Sequence, residues 1–238
     1  MKTRAILFDK DGTLLDFDTF WVPISRRAIE YMLRKVNRTD ISVNTVLEAF
    51  GIKDNTTVID GVLCCGTYAK MGEVFYKLIE NPECKFSMKD IVSLVVQSYH
   101  DMIDEGRVEP VCENLRETLL LLKEKNIKLI VVTTDDQSIT QRCLEKLRIA
   151  DVIDEIYTDD GLFPAKPDSY CIEEICKKYG YSKSELIMVG DTLTDALFAK
   201  NGGIRFIGVA KCEENRSILA EKTDVVIREV SQILSVIG

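Results

Sequence analysis

Histidine is almost absent from these 238 residues: His100 is the only one. A Cys/His zinc site therefore lacks partners. A histidine-based triad would have to use His100, which sits in a helical stretch with no nucleophile motif nearby. The eight cysteines (Cys64, Cys65, Cys84, Cys112, Cys143, Cys171, Cys176 and Cys212) form no C-x-x-C pair. They read as small apolar side chains rather than disulfide staples. Long apolar runs are missing too. The first, Ala5 to Phe8, is too short for a signal-peptide core, and none approaches the length that spans a bilayer. A cytoplasmic location and no membrane partner are the resulting expectations. Basic excess is also lacking: formal net charge is -8, with Lys and Arg scattered among acids. Without a basic patch or stripe, no nucleic-acid partner is expected. No G-x-G-x-x-G follows the first apolar run, which argues against dinucleotide binding.

What is present suits a globular protein: 46% apolar and 29% charged residues, enough for a large core or a core with a smaller companion. The ends of the chain alternate short apolar runs with helix-length segments. Runs at Ala5 to Phe8, Leu129 to Thr133, Val152 to Tyr157, Leu186 to Val189, Ile204 to Val209 and Val225 to Ile227 suit parallel strands covered on both faces. The expected fold is α/β: a Rossmann-like open parallel sheet with helices on both faces. Between Asp18 and Glu105 no convincing strand is visible, only helical periodicity such as Ile24, Ala28, Ile29 and Leu33. Gly51 reads as a helix C-cap and Ser87 with Asp90 as a capping box, while Asp54-Asn55-Thr56 and Asn81-Pro82-Glu83 read as breaks. The expected division is a core of residues 1–17 and 106–238 with an inserted α-helical domain at 18–105.

Chemistry concentrates at the strand ends, where such sheets bind ligands. The first strand runs into Asp9-Lys10-Asp11-Gly12-Thr13. Residues two apart point to the same face, so both carboxylates aim at one centre. Like charges that close demand a shared cation or proton, which implies a metal site, an acid–base site or both. The second strand ends in Thr133-Thr134-Asp135-Asp136. The loop after the third carries Asp159-Asp160-Gly161 and Ala165-Lys166-Pro167, and the fourth ends in Gly190-Asp191 with Asp195 beyond. Asp191 and Asp195 alone would also suit a helix N-terminus.

This ordered set resembles the four motifs of the haloacid dehalogenase superfamily: Asp9-Lys10-Asp11-Gly12-Thr13, then Thr133, Lys166, and Gly190-Asp191 with Asp195. The branch it is most similar to is the phosphoglycolate phosphatase-like one, and the helical insert lies where that branch carries its type 1 cap. Two departures bear on substrate choice: Thr134 stands where asparagine is common, and Asp16-Phe17-Asp18 stands for the usual Asp-Ser.

The resemblance implies a phosphatase acting on a small phosphorylated metabolite, phosphoglycolate-like, a sugar phosphate or a nucleotide, through an aspartyl-phosphate. Asp9 would be the nucleophile, and Asp11 the general acid and then the base, which requires it to start protonated. A hard cation, Mg²⁺, would be held by the Asp9 and Asp191 carboxylates and the Asp11 backbone carbonyl, with Asp195 direct or through water. Thr133, Thr134, Lys166 and Lys10 would bind substrate, Lys10 through backbone N–H groups around it. Arg26, Arg27, Lys53, Tyr68, Lys70, Phe20 and Trp21 are the insert's candidate contacts. The rivals are a sugar phosphomutase of the same fold and a catalytically silent binding or regulatory protein.

Overall fold

The computed structural model describes residues 2–80, 85–161 and 164–237. The Asn81-Pro82-Glu83 break and Cys84 lie outside the described residues. In chain order the elements are β1 (Ala5–Phe8), α1 (Phe17–Lys35), α2 (Val43–Ala49), β2 (Ile52–Lys53), β3 (Thr56–Thr57), α3 (Val62–Cys65), α4 (Tyr68–Ile79) and α5 (Met88–Asp101). Then follow α6 (Leu115–Glu124), β4 (Lys128–Val132), α7 (Gln137–Lys146), β5 (Glu155–Tyr157), α8 (Tyr170–Tyr179), β6 (Leu186–Gly190), α9 (Leu193–Gly202), β7 (Arg205–Val209), α10 (Glu213–Ala220) and β8 (Val226–Ile227). The chain forms two compact units. One ends at Asp16 and resumes at Val108; the other is Phe17–Arg107.

The first unit is an α/β fold on a six-stranded sheet of order β5-β4-β1-β6-β7-β8. Every pairing in it is parallel. All four β1 residues are fully buried, so both faces of that strand are covered, as a near-continuous apolar run requires. Strand order reverses at β1, which places the ligand crevice of such sheets at its C-terminal end. The third strand is shorter than its apolar run: β5 starts at Glu155. Arg148, at φ 57°, turns the chain after α7. Asp154 then turns its carboxylate to Lys123, Lys128 and the Leu129 amide instead of extending the ladder.

The second unit is helical, with one correction to the expectation of no strand. β2 and β3 make a two-stranded antiparallel hairpin, Ile52 opposite Thr57 and Lys53 opposite Thr56. Two-residue strands are too short to show a period-two pattern. The break read at Asp54-Asn55 is the hairpin's turn, with φ of 51° and 61° at the two residues, which Asp and Asn tolerate in tight hairpins. The Asp18 carboxylate fastens it by accepting from the Thr57 amide and hydroxyl. α1 continues through Pro23. Proline has no N–H for the carbonyl four residues back, and that carbonyl, of Thr19, accepts from the Arg107 amide. The Ser87–Asp90 capping box forms at the start of α5. No helix of the described residues is long and apolar enough to cross a membrane.

Candidate active site

β1 positions the first carboxylate. Its ladder continues one residue past the strand, the Asp9 amide donating to Val189 O at 2.9 Å. The chain then turns sharply, with the amides of Leu14 and Leu15 both donating to Lys10 O. Gly12 sits at φ 81°, and a Cβ there would lie 2.1 Å from Asp191 Oδ2. Only glycine lets the turn pass this close to the second acid. Thr13, fully buried, donates its hydroxyl to Asp191 Oδ1 at 3.0 Å and sets that carboxylate's rotation.

Asp195 sits at the start of α9. Its Oδ2 accepts from the Thr192 amide and hydroxyl, and Thr192 Oγ1 accepts from the Asp195 amide, a reciprocal capping box. The helix-cap reading is thus realised for Asp195, while Asp191 stands before the cap. Gly190 leaves room for it: a Cβ there would be 2.4 Å from Asp195 Cγ. Lys166 arrives on the loop before α8, anchored where Pro167 O accepts from Asn201 Nδ2. Its ammonium donates to Asp9 Oδ1 at 2.5 Å and Asp195 Oδ1 at 2.7 Å.

Asp9, Asp191 and Asp195 bring carboxylate oxygens within 4.8 Å of one another. Burial pushes the Asp9 carboxyl up to about 7; Lys166 opposes the shift, and Asp195 and Asp11 add to it. Asp191 is likewise raised, by burial first and then by Asp9 and Asp195. Burial would lower the Lys166 ammonium, but Asp195 and Asp9 outweigh it and hold it above its ordinary value. Three carboxylates against one ammonium leave a surplus of negative charge. A divalent cation with hard oxygen ligands fits that surplus.

Beside this cluster lies a second. Lys10 is fully buried, and its ammonium donates to Asp11 Oδ1 at 2.7 Å, with Oδ2 at 2.6 Å. It also lies 3.1 Å from Asp135 Oδ2. The Lys10 side chain is committed to two carboxylates, which is compatible with the expectation that Lys10 meets a ligand through backbone N–H groups. Burial raises Asp135 to about 6, Lys10 opposing and Asp11 adding. Thr133, 4% exposed, accepts at Oγ1 from the Asp135 amide, which leaves the hydroxyl proton available to another acceptor. Thr134 is exposed and makes no side-chain hydrogen bond to the described residues of either cluster.

Most candidate contacts of the helical unit have partners within it. Arg26 binds Asn44 and Asn55, Arg27 pairs with Glu30, Lys70 with Glu73, and Phe20 and Trp21 are buried. Sequence reasoning assigned no role to Asp135. The signal was there, in a second acid at a strand end beside a lysine flanked by acids.

Comparison with known proteins agrees with this geometry. A family model described as haloacid dehalogenase-like hydrolase matches residues 3–203. A phosphoglycolate phosphatase of Photobacterium profundum is 25% identical over 98% of this chain and 95% of its own. Pyrophosphatase PpaX of Halalkalibacterium halodurans is 25% identical over 100% and 98%. Among solved structures, a predicted phosphoglycolate phosphatase from Haemophilus somnus superposes with a TM-score of 0.74 at 20% identity, covering 100% of this chain and 99% of that one.

Proposed function

The chain belongs to the haloacid dehalogenase-like hydrolases, and on that premise we propose that it is a Mg²⁺-dependent phosphatase of small phosphate monoesters acting through an aspartyl-phosphate on Asp9. The observation that carries the reading is the buried Asp9 carboxylate, held on Oδ1 by Lys166 beside Asp191 at the sheet's switch point.

Asp9 attacks phosphorus with its other oxygen, Oδ2, and the ester oxygen leaves with its electron pair. Asp11 gives that oxygen a proton, and the carboxylate so formed takes one from the water that hydrolyses the acyl phosphate. Lys166 and the Thr133 hydroxyl hold the non-bridging oxygens, with backbone N–H groups of the turn around Lys10 and Asp11. Asp9, Asp191 and the Asp11 carbonyl would hold the cation. Asp195, whose Oδ1 accepts from Lys166 and Oδ2 from Thr192, would complete the acid cluster around the cation. When bound, the cation screens Asp9 from the phosphate charge and orients the phosphoryl group. The helical unit corresponds to the cap-type insert that the family resemblance implies, and a cytoplasmic setting suits such substrates.

The relatives' names place phosphoglycolate and pyrophosphate first in the test. Purified protein should release phosphate from one or more members of a panel of phosphorylated metabolites in Mg²⁺ and stop in EDTA. Asp9→Asn should abolish turnover; retention of a large share of activity would sink the assignment. Product analysis with a sugar phosphate separates hydrolysis from mutase transfer.

A further inference from the structure

Lys10 is among the largest fully buried side chains of the protein, yet it ends in a charge. Burial alone would lower the ammonium, but Asp11 and Asp135 hold it above its ordinary value. One ammonium between two carboxylates at the heart of a fold is not explained by stability. Well-packed apolar side chains of similar volume serve stability as well or better. The triad's place is more telling. Asp11 follows β1 and Asp135 follows β4, adjacent parallel strands in register from Ala5 opposite Lys128 to Phe8 opposite Val131. Lys10 therefore joins two neighbouring strand ends at the floor of the site.

Asp135 is itself fixed on several sides. Its amide donates to Thr133 Oγ1, its carbonyl accepts from the Asp159 amide, and Oδ1 accepts from the Asp136 amide. Oδ2 is buried without a hydrogen-bond partner, although Lys10 Nζ is 3.1 Å away. The charge of the Lys10 ammonium ties that oxygen to it. The chain of contact runs from the hydrogen-bonded loop after β4, through Asp135 and Lys10, to Asp11.

We propose that Lys10, braced by Asp135, is a positioning residue that holds the Asp11 carboxyl group for proton transfer to and from the oxygen at phosphorus. The proposal rests on the phosphatase reading above. The proton goes from Asp11 to the departing ester oxygen, whose bond to phosphorus breaks as the Asp9–phosphorus bond forms. When Asp11 carries the proton, Lys10 still finds an acceptor in its carbonyl oxygen and keeps the group aimed. Proton transfer needs hydrogen-bond reach, and small misplacements of a reacting group are costly.

Leaving-group dependence tests this. Departure of an alkyl alcohol needs the acid; departure of p-nitrophenol needs it far less. The quantity to read is kcat/KM, which covers events up to loss of the alcohol. Lys10→Met should lose about a hundredfold on the alkyl phosphate of the panel that the wild type turns over best, but only a few-fold on p-nitrophenyl phosphate. Asp135→Asn, which keeps shape and leaves the Lys10–Asp11 pair, should shift the ratio of the two esters in the same direction by about tenfold. It carries the test alone if Lys10→Met does not fold. Equal losses on both esters, or none, overturn the proposal while leaving the phosphatase standing. A wild type that turns over no ester of the panel, in Mg²⁺, overturns the functional reading and this proposal with it.

Discussion

Magnesium binding should release protons, and the count should depend on pH in a way the site's burial dictates. Asp9 is pushed up to about 7, mainly by burial, and a cation binds only its deprotonated form. A carboxyl titrating at about 7 is about nine-tenths protonated near pH 6 and about one-tenth near pH 8. Mg²⁺ should therefore release about one proton from Asp9 near pH 6 and almost none near pH 8, with apparent affinity rising about tenfold between them. Asp191 is raised as well and adds in the same direction. Titration calorimetry in two buffers of different ionisation enthalpy reads both quantities. Affinity that stays flat from about pH 6 to 8, with no proton released at the lower value, would refute the reasoning that burial raises the carboxyls of a cation-binding cluster. Stability is linked to the same group. Asp9's folded value lies above its unfolded value of 3.8. Between about 4 and 7 the folded state then binds more protons than the unfolded one, so Asp9's contribution to stability declines as pH rises through that window. In metal-free protein the slope from this group approaches about 1.4 kcal/mol per pH unit. The rise in Tm caused by Mg²⁺ should accordingly be larger near pH 8 than near pH 5.

Two further outcomes follow from packing. Gly12→Ala places a Cβ 2.1 Å from Asp191 Oδ2 at a φ of 81°; it should cost about 1–2 kcal/mol in stability and at least about tenfold in Mg²⁺ affinity. Calorimetry showing unchanged affinity would remove Asp191 from the ligand set. In the helical unit, Tyr99 and Ser25 are both fully buried, and the phenol donates to Ser25 Oγ at 2.9 Å. Tyr99→Phe should destabilise by about 1–3 kcal/mol in urea unfolding, and a change within error would mean the serine finds another partner.

The sheet was legible because its strands are buried on both faces and therefore read as unbroken apolar runs. The site was legible because strand ends converge in a parallel sheet, so Asp9, Lys166 and Asp191 could be placed together without contact information. The hairpin at Ile52 was not, since two residues carry no periodicity. Thr13 and Asp191 are 178 positions apart, and nothing local in either motif signals their hydrogen bond. The direction of the Lys10 side chain was not legible for a related reason: a lysine between two acids declares its charge but not which neighbours it will meet. Burial decided that, by turning the side chain to Asp11 and Asp135. Asp195 had two readings, helix cap and metal-site acid; Oδ2 makes the cap with Thr192, while Oδ1 accepts from Lys166 beside Asp9.

The two acid clusters make different demands on a partner. Lys10 meets Asp11 and Asp135 with one internal ammonium, so that cluster is short by one positive charge when both are ionised and balanced when Asp11 carries its proton. The Asp9 cluster sets three carboxylates against Lys166 and is short by two. A single monovalent group would not close that second gap; a divalent cation does, and it leaves room for the phosphate's own charge to be met by Thr133 and backbone amides. The difference also separates the labour. A group that must attack phosphorus benefits from a cation it shares with the substrate, whereas a group that must move a proton benefits from a fixed partner that stays behind. In the proposed roles, Asp9 would have the first environment and Asp11 the second. On that argument the lysine between them is what keeps the two aspartates of one short motif from doing the same thing.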